Sequence, residues 1–475
     1  MKSLSVFNSF LFIDKGFVME QFDVIVIGSG SGMLVASAAV DQGMRVALVE
    51  HGKMGGTCIN VGCVPSKMLI YPTDVIAAVH EAGKLGVHAT VESVDFRNIM
   101  GRMHALVEED SGHQALAVEA TPNLVWFKET GEFISDYTMQ VGQRTLMAPK
   151  IFIVSGARHA IPVIKDIDKI GYLTSDSVLE LQKPPASLLI VGGGYIGMEY
   201  GHFFSGIGTK TTILQRPNRV LPDEEPEISE LLQKELQKRM EIYTGFEVLE
   251  ARQEGQTKTL VARNRQDGNQ REFSAEAVLV ATGRVSNADV LKPEKTGVAL
   301  DEHNFIKVNE YLETSKKNIW AFGDAVGKQM FKHVANYEAG IVWHNSIHDH
   351  KVPMDFSAAP HAVFTHPQVA SVGLKEAEAK LQHGKILVGT ALYRDTAMGA
   401  AMGFPEGFVK VIVEAESSKI LGGHIIGHEA PILIQEIVNA MISETGSFAS
   451  IAQGMHIHPA MTEVVQNAFG NLKEA

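Results

Sequence analysis

The run Phe22 to Ile27 is apolar and rich in β-branched residues, ends on glycines, and gives way to the Ala-rich stretch Val35 to Val40 and then a second apolar run, Arg45 to Val49. Short β-branched runs closed by glycine predict buried strands, and the Ala-rich stretch between them predicts a helix. The same succession recurs at Ser187 to Val191, Gly192 to Phe204 and Thr211 to Leu214, about 165 positions later. Two dinucleotide-binding units are therefore predicted in one chain. Pro184 and Pro185 mark the entry to the second unit, and after Lys351 the rhythm changes to His, Pro and short strands. From about Phe364 onward, strand patterns (Val409 to Val413, Gly423 to Ile426) alternate with helical ones such as Ile432 to Ser443. The predicted fold class is α/β, with two Rossmann-like dinucleotide-binding domains and a C-terminal α+β domain. The boundaries fall at 19–157 for the first domain, 158–280 for the second, 281–352 for the second part of the first, and 353–475 for the last.

Length and charge narrow the function classes. At 475 residues the chain exceeds one compact core and has room for roughly three domains. Its formal charge of −13 disfavours nucleic acid and anionic membrane surfaces as partners. No apolar run approaches the length of a membrane span. The first eighteen residues read as a disordered extension: Asp14 and Lys15 interrupt the apolar Phe7, Phe10, Leu11 and Phe12, and no small-residue cleavage site follows, so a signal peptide is not expected. Met19 stands just before the first strand as an alternative start, and a cytoplasmic location is the expectation.

The glycines carry the first chemistry. Gly28, Gly30 and Gly32 follow the first strand directly, where the backbone can approach a pyrophosphate on the helix N-terminus. Glu50 ends the second strand, where a carboxylate accepts from an adenosine ribose. Met33 occupies the usual third glycine position, which predicts looser packing of helix on strand. In the second unit Gly192, Gly194 and Gly197 complete the fingerprint, with Tyr195 and Ile196 inside it. There the following strand ends in Gln215 and Arg216 instead of an acid; the arginine favours a 2′-phosphate and NADPH, whereas Gly197 favours NADH.

The only two cysteines stand in Gly55-Gly56-Thr57-Cys58-Ile59-Asn60-Val61-Gly62-Cys63-Val64-Pro65-Ser66-Lys67, immediately beyond Glu50. A helix N-terminus and a nearby lysine lower a thiol's pKa and prepare it to attack another disulfide. A stabilising disulfide across so short a loop would add little, and two cysteines without a nearby histidine make a poor zinc site. His344, His348 and His350 include an i, i+4 pair, but no carboxylate or cysteine stands in register, so no metal is expected. The 19 methionines read as core filling.

The cysteine segment, Ala281-Thr282-Gly283-Arg284, Ala321-Phe322-Gly323-Asp324, Phe364-Thr365-His366-Pro367 and His456-Ile457-His458-Pro459 resemble the two-cysteine pyridine nucleotide-disulfide oxidoreductases, over nearly the whole chain from Met19. The resemblance implies a homodimer with FAD, NAD(P) and dimerisation domains. It makes Cys63 the thiol beside the flavin and Cys58 the one that attacks substrate, and pairs Lys67 with Glu199 near the flavin. It assigns FAD contacts to Gly56, Thr57, Gly156, Arg284, Gly323 and Asp324 as well, and NAD(P) contacts to Gly283. His458 with Glu463 resembles the acid/base pair that reaches across the dimer interface. Within the family, His333 to Gly340 resembles dihydrolipoamide dehydrogenase, whereas Ala281 to Asp289, Tyr393 to Met402 and His458-Pro459-Ala460 resemble mycothione reductase. The absence of cysteines from Asn471 to Ala475 speaks against mercuric reduction. The sequence reading is a dihydrolipoamide dehydrogenase-like enzyme acting on a small dithiol or disulfide, free or on a lipoyl group, with a mycothione-type thiol disulfide reductase as its alternative. A flavin-bearing redox sensor or complex subunit is the alternative of another class.

Overall fold

A computed structural model describes residues 13–14 and 17–475, with side chains from Met19 onward. The remainder of the expected extension, 1–12 and 15–16, lies outside the described residues. Ile13–Asp14 and Phe17–Gln21 pair antiparallel, and Met19–Gln21 pair in parallel with Thr145–Met147.

The chain divides into two compact units, the first comprising Met1–Cys63, Ala105–Arg158 and Arg284–Met354. Its centre is a five-stranded parallel sheet in the order Ile319–Ala321, Lys150–Ile153, Val24–Ile27, Val46–Val49, Leu124–Phe127. Strands Val24–Ile27 and Val46–Val49 are buried at every position, which is why their sequences are continuously apolar rather than alternating. The two-residue pleat sorts the side chains. Val24, Val26, Val46 and Leu48 pack with Val35, Ala36 and Ala39 of helix Gly32–Asp41, whereas Ile25, Ile27, Ala47 and Val49 pack with Phe133, Met139 and Leu146. Those last three belong to an antiparallel layer of Gly131–Ser135, Thr138–Val141 and Arg144–Met147.

The second unit comprises Val64–His104, His159–Gly283 and Asp355–Ala475. It repeats the parallel motif in a four-stranded sheet ordered Glu241–Thr244, Lys210–Gln215, Ser187–Val191, Ala277–Val280. A three-stranded meander, Phe246–Glu254, Thr257–Asn264 and Gln270–Ala275, inserts between its last two strands in sequence. The C-terminal part is a six-stranded antiparallel sheet covered by helices Ala430–Met441 and Glu463–Gly470. The α/β class with two Rossmann-like layers and an α+β end is the fold expected from the sequence. Element ends differ by a few residues: the second fingerprint's helix runs Tyr195–Gly206, and the C-terminal one stops at Met441 rather than Ser443.

Candidate active site

The first glycine turn is a cradle of backbone. Gly28 has φ +105°, and a Cβ there would stand 2.2 Å from the Val154 carbonyl oxygen. A Cβ on Gly56, at φ +63°, would stand 2.8 Å from the Gly30 Cα, so the turn and the cysteine segment touch main chain to main chain. Packing of helix on strand is not loosened at Met33, which sits against the core; Gly32 makes the close approach, 2.9 Å from its would-be Cβ to Val26 Cγ1. Glu50 accepts hydrogen bonds from the Ser29 amide at 3.0 Å, the Ser29 hydroxyl at 2.9 Å and the Gly52 amide at 2.8 Å. Its carboxylate is thus fixed over the turn.

The sulfurs are brought together by their own loop. Helix Gly56–Asn60 carries Thr57 and Cys58, and Asn60 Nδ2 donates to the carbonyls of Met54 at 2.8 Å and Gly56 at 3.0 Å. The chain then folds back so tightly that a Cβ on Gly62 would stand 2.8 Å from the Thr57 carbonyl oxygen. Cys63 opens the long helix Cys63–Glu81, whose Pro65 falls in the first turn, where a missing amide costs nothing. Both cysteines are free thiols, and Cys58 hydrogen-bonds to Cys63. The sequence predicted a lowered Cys58 thiol; the structure reverses the sign. The hydrogen bond to the Cys63 side chain, burial and the charge of Cys63 push the Cys58 thiol up, while the Lys332 charge and the Cys63 backbone amide pull it down.

Lys332 is a residue the sequence reading missed, because it lies far along the chain at the start of helix Lys332–Ile347. Its ammonium donates to Ser31 Oγ at 3.1 Å, and that hydroxyl donates to Asn336 Oδ1 at 2.9 Å. A lysine directly preceding the His333 to Gly340 stretch was the signal available. Burial holds Lys332 below the usual lysine range, while Cys58 and Cys63 draw it back up.

The first unit carries four more of the expected FAD residues. Gly156 has φ +70°, and Gly323, at φ +68°, donates its amide to Glu338 at 2.7 Å. Burial pushes Asp324 up while the Arg284 guanidinium, 3.7 Å away, pulls it down. Buried Ser155 Oγ and Arg284 Nε have no hydrogen-bond partner among the described residues. Together with the Gly28 to Gly32 cradle and Glu50, such unsatisfied donors fit a dinucleotide such as FAD.

In the second unit Lys67 Nζ lies 2.7 and 2.9 Å from the two carboxylate oxygens of Glu199 and 4.5 Å from the Phe364 ring centroid. Glu199 also accepts from the Phe364 amide at 3.0 Å. The second glycine turn copies the first: Gly192 has φ +112°, its would-be Cβ 2.2 Å from the Ala281 carbonyl oxygen, and a Cβ on Gly197 would stand 2.0 Å from the Gly192 oxygen. Gly194 precedes the helix that Tyr195 and Ile196 open, and Gly283, at φ +118°, accepts from the Ala160 amide. Gln215 Oε1 accepts from the Gly193 amide at 2.7 Å. Arg216 Nε pairs with Glu247 at 3.2 Å, and Glu247 pairs in turn with Arg263 at 2.7 Å, an arginine the sequence did not single out. His458 Nδ1 lies 2.9 Å from Glu463 Oε1, and the other carboxylate oxygen accepts from the Ala460 amide at 3.0 Å. The His458 side chain is 71% exposed, and its bond holds Glu463 below the usual carboxylate range.

His344 and His348 have ring centroids 4.5 Å apart, but His348 stands just past the helix end at Ile347. Among the described residues no group of three His, Cys, Asp or Glu is arranged to hold a metal ion, and no helix is long and apolar enough to cross a membrane.

Comparison with known proteins gives a consistent picture. The family profile described as pyridine nucleotide-disulphide oxidoreductase matches residues 22–339, and the profile for its dimerisation domain matches 359–469. The mycothione reductase of Mycobacterium tuberculosis is 34% identical over 470 residues, spanning 96% of this chain and 100% of its own. The dihydrolipoyl dehydrogenase of Bacillus subtilis is 29% identical over 470 residues, 94% of this chain and 97% of its own. Among solved structures, the HOCl-induced flavoprotein disulfide reductase RclA from Escherichia coli superimposes with a TM-score of 0.84 at 26% identity, covering 94% of this chain and 99% of that one.

Proposed function

Because this chain belongs to the pyridine nucleotide-disulphide oxidoreductases, whose members use FAD and NAD(P)H, we propose that it is an NADPH-dependent reductase of a small thiol disulfide, working as a homodimer. The observation that carries the choice is Gln215, a neutral amide bonded to Gly193 where the first unit has the Glu50 carboxylate bonded to Ser29. An acid there serves a free ribose diol and repels a 2′-phosphate, whereas the neutral Gln215 does not, and the adjoining Arg216, which pairs with Glu247, is a cation that a phosphate can draw on. NADPH commonly drives reduction, and so favours the reductase over the dehydrogenase direction.

Bound FAD and NADPH supply the two electrons, taken from the nicotinamide as hydride and delivered to the Cys58 to Cys63 disulfide. The residues do the rest. Glu50 and the Gly28 to Gly32 turn bind the first dinucleotide, with Gly56, Thr57, Gly156, Arg284, Gly323 and Asp324 as further contacts. The second turn, Gly192 to Gly197 with Gly283, binds the nicotinamide cofactor. Lys67, its charge matched by Glu199, would be among the residues that hold the flavin for hydride transfer. The Cys58 sulfur attacks one sulfur of the substrate, a mixed disulfide forms, and the leaving sulfur takes a proton from His458, acting on the other subunit. Glu463 holds that imidazole in orientation. Cys63 then attacks Cys58, re-forming the disulfide and releasing the second thiol, so that one disulfide, one NADPH and one proton yield two thiols.

A second reading, a dihydrolipoamide dehydrogenase running in the reverse sense with NAD+, is supported by the His333 to Gly340 stretch and by the Bacillus subtilis relative. Initial rates with NADPH and NADH against mycothione-type disulfides and lipoamide separate the two. The proposal expects NADPH and a free thiol disulfide to be the better pair; NADH with lipoamide as the better pair supports the second reading instead.

A further inference from the structure

Lys67 and Glu199 stand 132 positions apart, on helix Cys63–Glu81 and on helix Tyr195–Gly206. Two flexible side chains do not by themselves fix the register of two helices, because each gives up rotamer freedom to make the pair. The register is set where the helices touch. A Cβ on Gly206 would stand 2.0 Å from Thr73 Cγ2, so the second helix meets the first at its C-terminal end with no room for a side chain. Next to that contact, Asp74 Oδ1 lies 3.0 Å from His202 Nε2. Asp74 is two turns beyond Lys67 and His202 one turn beyond Glu199, so both bonds join the same two helices.

The His202 side chain is wholly buried, and burial holds its imidazole down at about 4 against the pull of Asp74. The ring is therefore neutral at neutral pH. A carboxylate only accepts, so Nε2 carries the hydrogen and donates it, and Nδ1, which has no partner among the described residues, is the bare nitrogen. The segment Phe364 to His366 closes the arrangement. The Phe364 amide donates to Glu199 at 3.0 Å, and two residues on, the His366 ring lies over the His202 ring with centroids 6.5 Å and planes 17° apart. His366 Nε2 in turn lies 3.1 Å from Glu81 Oε1 on the first helix. Helix Tyr195–Gly206 is thus held at two levels by the same two partner segments: Lys67, Glu199 and Phe364 form one, and Asp74, His202, His366 and Glu81 the other.

We propose that His202 and Asp74 are positioning residues, whose bond fixes Glu199 against Lys67 and so keeps the lysine in place for flavin reduction. The proposal rests on the reading in which Lys67 helps to hold the flavin for hydride transfer. A bond one turn from Glu199 matters because a displacement of about 1 Å at a reacting group can cost on the order of 100-fold in rate.

The test uses the FAD-loaded protein, with stopped-flow reduction of the flavin by NADPH and urea unfolding read on each variant. His202→Phe and Asp74→Ala are each expected to lower the limiting reduction rate about tenfold while leaving the half-saturating NADPH concentration within a factor of about two. His202→Gln, whose amide nitrogen can donate from the place of Nε2, is expected to restore most of the rate. Phe203→Leu, which removes the ring stacked on Phe96 from the same helix, is expected to lower the urea midpoint without slowing reduction. Glu199→Gln is expected to lower the urea midpoint less in the His202→Phe background than in the parent, because the lysine pair is already loosened there. A parent-like rate in both His202→Phe and Asp74→Ala, a His202→Gln variant as slow as His202→Phe, or strictly additive losses of midpoint overturns the proposal. If Glu199→Gln leaves flavin reduction unchanged, the reading of Lys67 fails, and the midpoints still decide whether the Asp74 to His202 bond holds Glu199 on the lysine.

Discussion

Gln215 Oε1 accepts the Gly193 amide at 2.7 Å in the second dinucleotide turn, the bond that the Glu50 carboxylate makes to the Ser29 amide at 3.0 Å in the first. The two turns thus share one backbone device with opposite consequences for charge. Where the acid stands, a negative group is fixed over the turn; where the amide stands, the next residue, Arg216, pairs with Glu247, which also pairs with Arg263.

Changing that pattern is expected to change the nicotinamide. Arg216→Ala should raise the KM for NADPH about tenfold or more while leaving NADH within a factor of about two, because one charge-assisted contact to a phosphate is lost. Gln215→Glu should lower kcat/KM for NADPH and raise it for NADH. Steady-state kinetics with both nucleotides checks this, and equal losses for the two would remove the 2′-phosphate from the account.

Both glycine turns, the βαβ order and the cysteine loop were legible from the sequence, because each depends on residues within about 25 positions and on glycines that no other residue can replace. Lys67 with Glu199 and His458 with Glu463 were named by resemblance, and the structure places each pair within hydrogen-bonding distance. Lys332 escaped because it reaches Ser31 only after segments 301 positions apart assemble. Arg263 and Glu338 meet Glu247 and Gly323 only 16 and 15 positions away, but no glycine or spacing signature marks those pairs. The sign of the Cys58 shift escaped for a different reason: it is set by a second titrating sulfur, so rules for a lone thiol at a helix start do not apply.

Glu338 is a buried carboxyl whose Oε2 accepts the Gly323 amide and whose Oε1 has no partner among the described residues. Burial pushes it up to about 7. A carboxyl raised above its unfolded value binds its proton more tightly in the folded state, so its stabilisation is present at low pH and is lost as pH rises from about 4.5 through about 7. Glu338→Gln should therefore be more stable than the parent at pH 8 by on the order of 1–2 kcal/mol, with the difference vanishing near pH 4.5. Urea midpoints at the two pH values decide it; a variant less stable at pH 8 would contradict the sign.

Glu199 is buried and bonded twice, to Lys67 and to the Phe364 amide. Glu199→Gln keeps an acceptor for the amide but leaves the lysine charge unmatched, which should cost about 2 kcal/mol and lower the melting temperature by several degrees. Flavin reduction by NADPH, followed by stopped flow, should slow in the same variant. Unaltered melting and reduction would leave the pair without a role.

His458→Ala is expected to lower disulfide turnover by roughly 10²- to 10⁴-fold, the usual worth of a general acid. Glu463→Gln should give a smaller loss in the same half-reaction, since the imidazole keeps a weaker partner. Reduction of the cysteine pair by NADPH should be unchanged in both. A variant slowed equally in both half-reactions would point to a structural defect instead.

The most direct test of the central claim, that Cys58 and Cys63 pass electrons from reduced nicotinamide to a disulfide, is anaerobic mixing of the FAD-loaded protein with one equivalent of NADPH. The account predicts a long-wavelength band in the parent and in Cys58→Ser, none in Cys63→Ser, and discharge of the parent's band by a small disulfide. A band that survives Cys63→Ser, or one that no disulfide discharges, would contradict it.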